Sequence, residues 1–241
     1  MDLAAELMQH AAAALPNEAC GLIVAAGKRH RVIPARNVSA EPRTTFEIAE
    51  EAWLEVAEGE EVIGIFHSHP YGSPEPSMAD RTMCEATGLT WHIVSFPGGG
   101  YRSIEPNGFE APYLQRPYVH GVHDCFSIVR DWYNREWNLG LPDFPREYEW
   151  WLKGGNLYVD HYAECGFVEI SDDVPIEIGD GFLISIGSQG KPNHSAIYVG
   201  DGAILHHVQG RLSSKDVYGG MWQRHTVARL RHRSRMGGGN G

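Results

Sequence analysis

His67 and His69 stand two residues apart at the end of an apolar, β-branched run, Glu61-Val-Ile-Gly-Ile-Phe66. On a strand, positions i and i+2 share a face, so the two imidazoles point to the same side. Asp80 follows eleven residues after His69. Two imidazoles and a carboxylate are three of the four ligands of a tetrahedral zinc ion, and a fourth position left to water is the pattern of a catalytic site. Zinc lowers the pKa of bound water to ~7 and polarises a scissile carbonyl. Ser77 and Asp80, three residues apart, also read as the N-cap and N3 acid of a helix, so Ser77 has a structural role open to it besides any chemical one.

A second set lies further on. Cys125 follows Asp124, and Phe126, Ile128, Val129, Trp132 and Tyr133 are compatible with a helix that Asp124 caps and that runs to Trp137, before Gly140-Leu-Pro142. Cys125 then sits in the first turn, where the helix dipole and a nearby imidazole lower a thiol pKa. Asn193–His207 reads as a hairpin about Gly200-Asp-Gly202, with His194 opening one strand and His206 on the other. A two-residue loop pairs Gly200 with Ala203 and puts the imidazoles on opposite faces. A three-residue loop pairs Val199 with Ala203 and puts them on one face, which is the geometry a working site predicts. His207 is the alternative to His206.

These residues need elements to hold them. Leu3, Leu7, Met8, Ala11, Ala12 and Leu15 recur at helical spacing before Pro16. Gly21–Ala25 and Arg31–Pro34 read as a hairpin, Glu47–Glu58 as a helix with Ala49, Trp53, Leu54 and Ala57 inward, and Glu61–Ser68 as the strand bearing the histidines. A helix over Met78–Thr87 and strands over Thr90–Phe96 and Tyr101–Ile104 complete a first domain, 1–106. The turn-rich stretch 107–112 reads as a linker, 113–235 as a second domain and 236–241 as a disordered tail. Mixed helices and strands make the class α+β, in two domains.

Composition narrows the partners. The net charge of −11 opposes a nucleic-acid partner, although the segment from Gly210 onward holds seven Arg or Lys and one acid, Asp216. No apolar run is long enough to span a membrane. The start, Met1-Asp-Leu-Ala-Ala-Glu6, has no basic n-region of a secretion signal. The four cysteines show no paired spacing, and Cys20, Cys84 and Cys165 read as small buried hydrophobes. His120, His123, His161, His225 and His232 read as surface or core residues. Tyr148-Glu-Trp-Trp-Leu152 reads as a core cluster or a partner surface.

His67, His69, Pro70, Ser77 and Asp80 follow H-x-H-P-x6-S-x2-D, which resembles the JAMM metallopeptidase signature. The resemblance implies a JAMM/MPN-like α-β-α domain with Zn2+ on His67, His69 and Asp80, Glu18 as the general base and Ser77 as an oxyanion stabiliser. Asp124-Cys125, His194-Ser-Ala-Ile-Tyr-Val-Gly-Asp-Gly202, His206 and Pro117-Tyr-Val-His-Gly121 resemble the NlpC-type, papain-like cysteine peptidases that cut peptidoglycan stem peptides. That implies Cys125 as nucleophile, His194 as base, His206 as the third residue, and Tyr118 at the oxyanion or substrate. Asp124-Cys-Phe-Ser127 departs from the family's Asp-Cys-Ser-Gly. The two domains in this order are similar to the tail tip protein K family of long-tailed phages. The resemblance implies a virion component, made in the host cytoplasm and acting in the periplasm or cell wall, with other tail tip proteins as partners and peptidoglycan peptides as substrate. A structural assembly factor whose peptidase sites are little used, or a host cell-wall hydrolase, are the other readings.

Overall fold

The computed structural model describes residues 2–27 and 29–236, so Lys28 of the first hairpin and residues 237–241 of the expected tail lie outside the described residues. Two compact units divide at Ala111/Pro112.

In the first unit, α1 (Leu3–Ala14) precedes strands β1 (Cys20–Ala26) and β2 (Arg29–Ala35), and α2 (Glu50–Leu54) leads to β3 (Glu61–Pro70). Then come α3 (Met78–Thr87), β4 (Thr90–Phe96) and β5 (Tyr101–Ile104). The sheet order is β2-β1-β3-β4-β5, with β3 and β4 parallel and the other pairs antiparallel. Period-2 alternation gives the sheet two apolar faces. Ile23, Phe66 and Val94 pack on Leu7 and Ala11 of α1, whereas Leu22, Ile65 and Trp91 form a second cluster with Ala52 of α2 and Cys84 of α3. Gly21 is required by close approach, since a Cβ there would lie 2.2 Å from the Ile33 carbonyl oxygen.

The helix expected over 47–58 is shorter, and its inward side chains differ. Val38 N–H donates to Glu47 O and Ala49 N–H to Arg36 O, so residues 47–49 are spent on extended pairing before α2 begins. In the single turn left, Ala52 is buried and Ala49 is buried as the N-cap, but Trp53, Leu54 and Ala57 face solvent. The stretch expected as a free linker is partly tied down. Asn107 and Phe109 N–H donate to Glu85 of α3 at 2.6 and 3.0 Å, and the Arg81 guanidinium lies over the Phe109 ring.

Near the start of the second unit the buried Arg116 guanidinium bonds Asp131 and the Pro112 carbonyl. The unit continues through α4 (Cys125–Trp137), α5 (Leu157–His161), β6 (Phe167–Ile170), β7 (Gly181–Ile184), β8 (His194–Gly200), β9 (Ala203–His206), β10 (Ser214–Val217), α6 (Gly220–His225) and β11 (Thr226–His232). The antiparallel sheet runs β10-β9-β8-β7-β11-β6. Ile128, Val129, Trp132 and Tyr133 of α4 pack on one face, against Leu183, Ile197, Leu205 and Leu230. Trp222 of α6 packs on the other, against Phe182, Ile184, Ala196 and Ile204. Asp180, ahead of β7, holds Arg231 of β11 through two 2.8 Å bonds.

The hairpin combines both registers weighed from sequence. Gly200 pairs with Ala203 around a two-residue turn in which Asp201 and Gly202 have φ of 52° and 70°. A bulge at Val199 then shifts the ladder, so Tyr198 pairs with Ile204 and Ala196 with His206. His194, two residues before Ala196, therefore shares a face with His206.

No helix among the described residues is long and apolar enough to cross a membrane.

Candidate functional site

In the first unit β3 delivers His67 and His69 to one side, and the first turn of α3 delivers Asp80. The three side chains converge with ligand atoms all within 4.8 Å of one another. The two Nε2 atoms are 3.1 Å apart, His67 Nε2 is 3.2 Å from Asp80 Oδ1, and His69 Nε2 is 3.4 Å from Asp80 Oδ2. His69 Nδ1 donates to the Ser73 carbonyl at 2.6 Å, which fixes that ring with its Nε2 lone pair turned inward. Phe46 stacks on His67 at 4.6 Å and Trp91 meets it edge-on, so an apolar wall backs the site. Burial pushes the Asp80 carboxyl up, but the facing histidines and hydrogen bonding to the Ser77 side chain outweigh it and hold it far below the usual range. Burial pulls His69 down, and Asp80 and the Ser73 carbonyl more than reverse that.

Glu18 is buried beside this cluster. Burial pushes its pKa up to about 8, with His69 opposing and Asp80 reinforcing. Its backbone is clamped from both sides: Glu18 N–H donates to Pro42 O at 2.7 Å, and Asn37 Nδ2 to Glu18 O at 3.1 Å. Ser77 caps α3, its Oγ accepting from Asp80 N–H while its own N–H donates to Asp80 Oδ2 at 2.7 Å. The capping box therefore fixes the Asp80 carboxylate as well as the helix start.

Ser68, between the two histidines, was not singled out from sequence. It is fully buried, and its Oγ accepts from Ala19 N–H at 2.8 Å, next to Glu18. Ser68→Ala leaves that buried N–H without its acceptor, which costs about 1–3 kcal/mol. Calorimetry should show the first unit melting lower by several degrees, and any Glu18-dependent activity should fall with it.

In the second unit Cys125 is the first residue of α4, and Asp124 caps the helix, accepting from Phe126 and Ser127 N–H. Asp124 is itself held by Arg146, whose Nε donates to Oδ2 at 2.8 Å, with both side chains nearly inaccessible. The expected lowered thiol pKa is not what results. Burial pushes the Cys125 thiol up and the Asp124 carboxylate adds to this, while hydrogen bonding to Tyr158 and Ser195 pulls back only partly. A helix terminus contributes at most about 2 kcal/mol, less than the cost of an anion in so enclosed a place. Cys125 Sγ lies 3.0 Å from the Tyr158 hydroxyl, and no hydrogen bond joins it to His194.

His194 Nε2 is 2.9 Å from His206 Nδ1, so the hairpin brings these two rings together. Burial drives the His194 pKa down to about 3, with His206 and His207 adding to the fall. His207 points elsewhere: its Nε2 is 3.2 Å from the Arg211 carbonyl and its ring meets Tyr118 edge-on. Tyr118 Oη is 3.5 Å from His120 Nδ1, and burial, followed by Cys125 and Asp124, pushes its hydroxyl far up. Trp150 is core, Leu152 is exposed, and Tyr148 accepts from Gln209 Nε2, so that aromatic cluster is shared between interior and surface. Cys20, Cys84 and Cys165 are buried.

Three residues near the thiol or the histidines escaped the sequence reading. Arg146 and Tyr158 lie in a segment without clear periodicity. Asp216, on the edge strand β10, places Oδ2 3.3 Å from His206 Nε2. Its only signal was that it is the single acid in a basic stretch.

Residues 1–105 match the family model described as prokaryotic homologs of the JAB domain, and residues 115–231 match that of the NlpC/P60 family. The chain is 38% identical over 233 residues to the tail tip assembly protein K of Escherichia phage N15, covering 96% of this chain and 94% of that one. It is 37% identical over 185 residues to the tail tip assembly protein K of Escherichia phage lambda, covering 76% and 88% respectively. A desampylase of Haloferax volcanii is 33% identical over 103 residues, covering 39% of this chain and 73% of its own.

Proposed function

We propose, for a chain that belongs to the phage tail tip assembly protein K family and carries a JAB-type domain followed by an NlpC/P60 domain, that it is a tail tip component which hydrolyses stem-peptide bonds of the cell wall during entry. The observation that carries this is the 2.9 Å pairing of His194 with His206, in the unit that sets Cys125 at the start of α4. The division we propose is 1–106 and 113–235, with the join at 107–112, and the partners are other tail tip proteins.

Cys125 is the nucleophile. Its S–H proton passes to His194 Nδ1, the ring nitrogen that His206 does not hold, as Sγ bonds the substrate carbonyl carbon. The Cys125 N–H at the start of α4, with Tyr118, faces the developing oxyanion. His194 returns the proton to the leaving amine, and water then hydrolyses the thioester. The thiol is not pre-ionised, so the base acts during attack and not before it.

The His67, His69 and Asp80 donor set fits zinc. Bonds of about 2.0–2.1 Å at tetrahedral angles put ligand atoms about 3.3 Å apart, and the separations here are 3.1–3.4 Å. Zinc there supplies Lewis acidity and a readily ionised water. Glu18, buried beside these ligands, takes and returns the proton, Ser77 lies beside the developing oxyanion, and Phe46 and Trp91 shield the His67 ring from bulk water.

One observation favours a second reading. The thiol is turned to Tyr158 and not to His194, as in a site held idle within an assembly factor. Mass spectrometry of Gram-negative peptidoglycan treated with the full chain decides between them. New amino and carboxyl termini in the stems, lost in Cys125→Ala, are the expected result. No new termini support the assembly role, and new reducing sugar ends refute peptidase chemistry.

A further inference from the structure

We propose that Asp216 is a positioning residue that sets the order of protons along His206 and His194, leaving His194 Nδ1 as a bare base. The inference rests on the peptidase reading of Cys125 and His194.

A neutral imidazole has one N–H and one lone pair, so two facing rings have two possible orders. His194 Nε2 and His206 Nδ1 share one hydrogen bond at 2.9 Å, and geometry within that pair does not say which ring donates. The outer nitrogen decides. His206 Nε2 is buried and has no completed hydrogen bond, and Asp216 Oδ2 stands 3.3 Å from it. A carboxylate only accepts. His206 therefore carries its proton on Nε2, its Nδ1 accepts, and His194 Nε2 must be the donor. His194 Nδ1 is then free of its proton and available to the thiol. In the reverse order His206 Nε2 turns a lone pair toward the carboxylate, and His194 holds its proton on the nitrogen that has to receive one.

The sheet explains why Asp216 can reach. Ser214 is directly opposite His206 in the β10–β9 ladder and Asp216 opposite Ile204, so Asp216 is the diagonal neighbour of His206 on the same face. Ser214 Oγ donates to Asp216 Oδ1 at 3.2 Å, and Arg211 Nη1 lies 3.8 Å from Oδ2. The other groups facing the pair are the Trp222 ring, 4.5 Å from His206, and His207 and Asp124, whose charges act on His194. Among these neighbours Asp216 is the one carboxylate placed at His206 Nε2. When His194 takes the thiol proton, the new positive charge also lies at the end of a chain that terminates in an anion.

Long-range 1H–15N NMR of histidine-labelled full chain reads the tautomers directly. The expected result is Nε2–H on both His206 and His194. In Asp216→Ala, His194 should shift toward Nδ1–H, and kcat for stem-peptide hydrolysis should fall roughly 10- to 100-fold at unchanged KM. Asp216→Asn keeps an acceptor oxygen and should restore the tautomers and most of kcat. Finding Nδ1–H on His206 in the wild type overturns the proposal without any variant. So does an Asp216→Ala chain with unchanged tautomers and kcat. If the wild type hydrolyses nothing but shows the expected tautomers, the peptidase reading fails and the proton order stands.

Discussion

Cys125→Ser should lower release of stem-peptide fragments by at least about 10³-fold, because a hydroxyl forms its anion far less readily than a thiol and nothing else in the site replaces the nucleophile. His194→Ala should cost about 10²- to 10⁴-fold, the usual range for a general base. His206→Ala should cost less, since it removes the group that orients the base and not the base itself. Chelators should leave this activity intact, and an alkylator that enters the site should stop it. The pH profile follows from the same environment. His194, with a pKa near 3, is already neutral throughout the working range. The thiol is held above its ordinary value by burial and by Asp124. The alkylation rate of Cys125 should therefore keep rising past pH ~8.5, the unperturbed thiol value. A plateau near pH 7 would show a preformed thiolate and defeat this account.

His67→Ala or Asp80→Ala should strip the first unit of its metal. Elemental analysis of the intact chain should give about one zinc per molecule. Loss of a ligand should weaken binding by more than the roughly 10- to 100-fold that loss of an outer partner costs. Glu18→Gln should keep the metal and end any hydrolysis by this unit, because the amide cannot take the proton. The amide keeps the size of the Glu18 side chain beside the cluster, so metal retention in that variant separates a base from a ligand. Full zinc occupancy after loss of both histidines would sink the assignment.

What was legible in the sequence had local causes. His67 and His69 share a face because strands alternate, and Ser77 with Asp80 forms a capping box because helix starts leave N–H groups to satisfy. Asp124 and Cys125 open α4 for the same reason. Cys125–Trp137 and Met78–Thr87 form the helices that apolar spacing and caps predict. The expected helix over 47–58 starts late, at Glu50, because Glu47 and Ala49 pair with Val38 and Arg36, a contact that no local pattern announces.

The sequence by itself determined the cluster His67, His69 and Asp80, the cap that presents Cys125, and the two-domain α+β order. These depend on periodicity and on neighbours within a turn or a strand. Only the tertiary structure decided the direction in which the thiol pKa moves, because burial and Asp124 together outweigh the helix terminus that the sequence makes visible. It also decided the face of His194, through a one-residue bulge at Val199 that overrides the turn length. And it brought Asp216 to His206 across an edge strand. Desolvation, register and cross-strand reach are set by residues far apart in the chain, so they exist only once the sheet has formed.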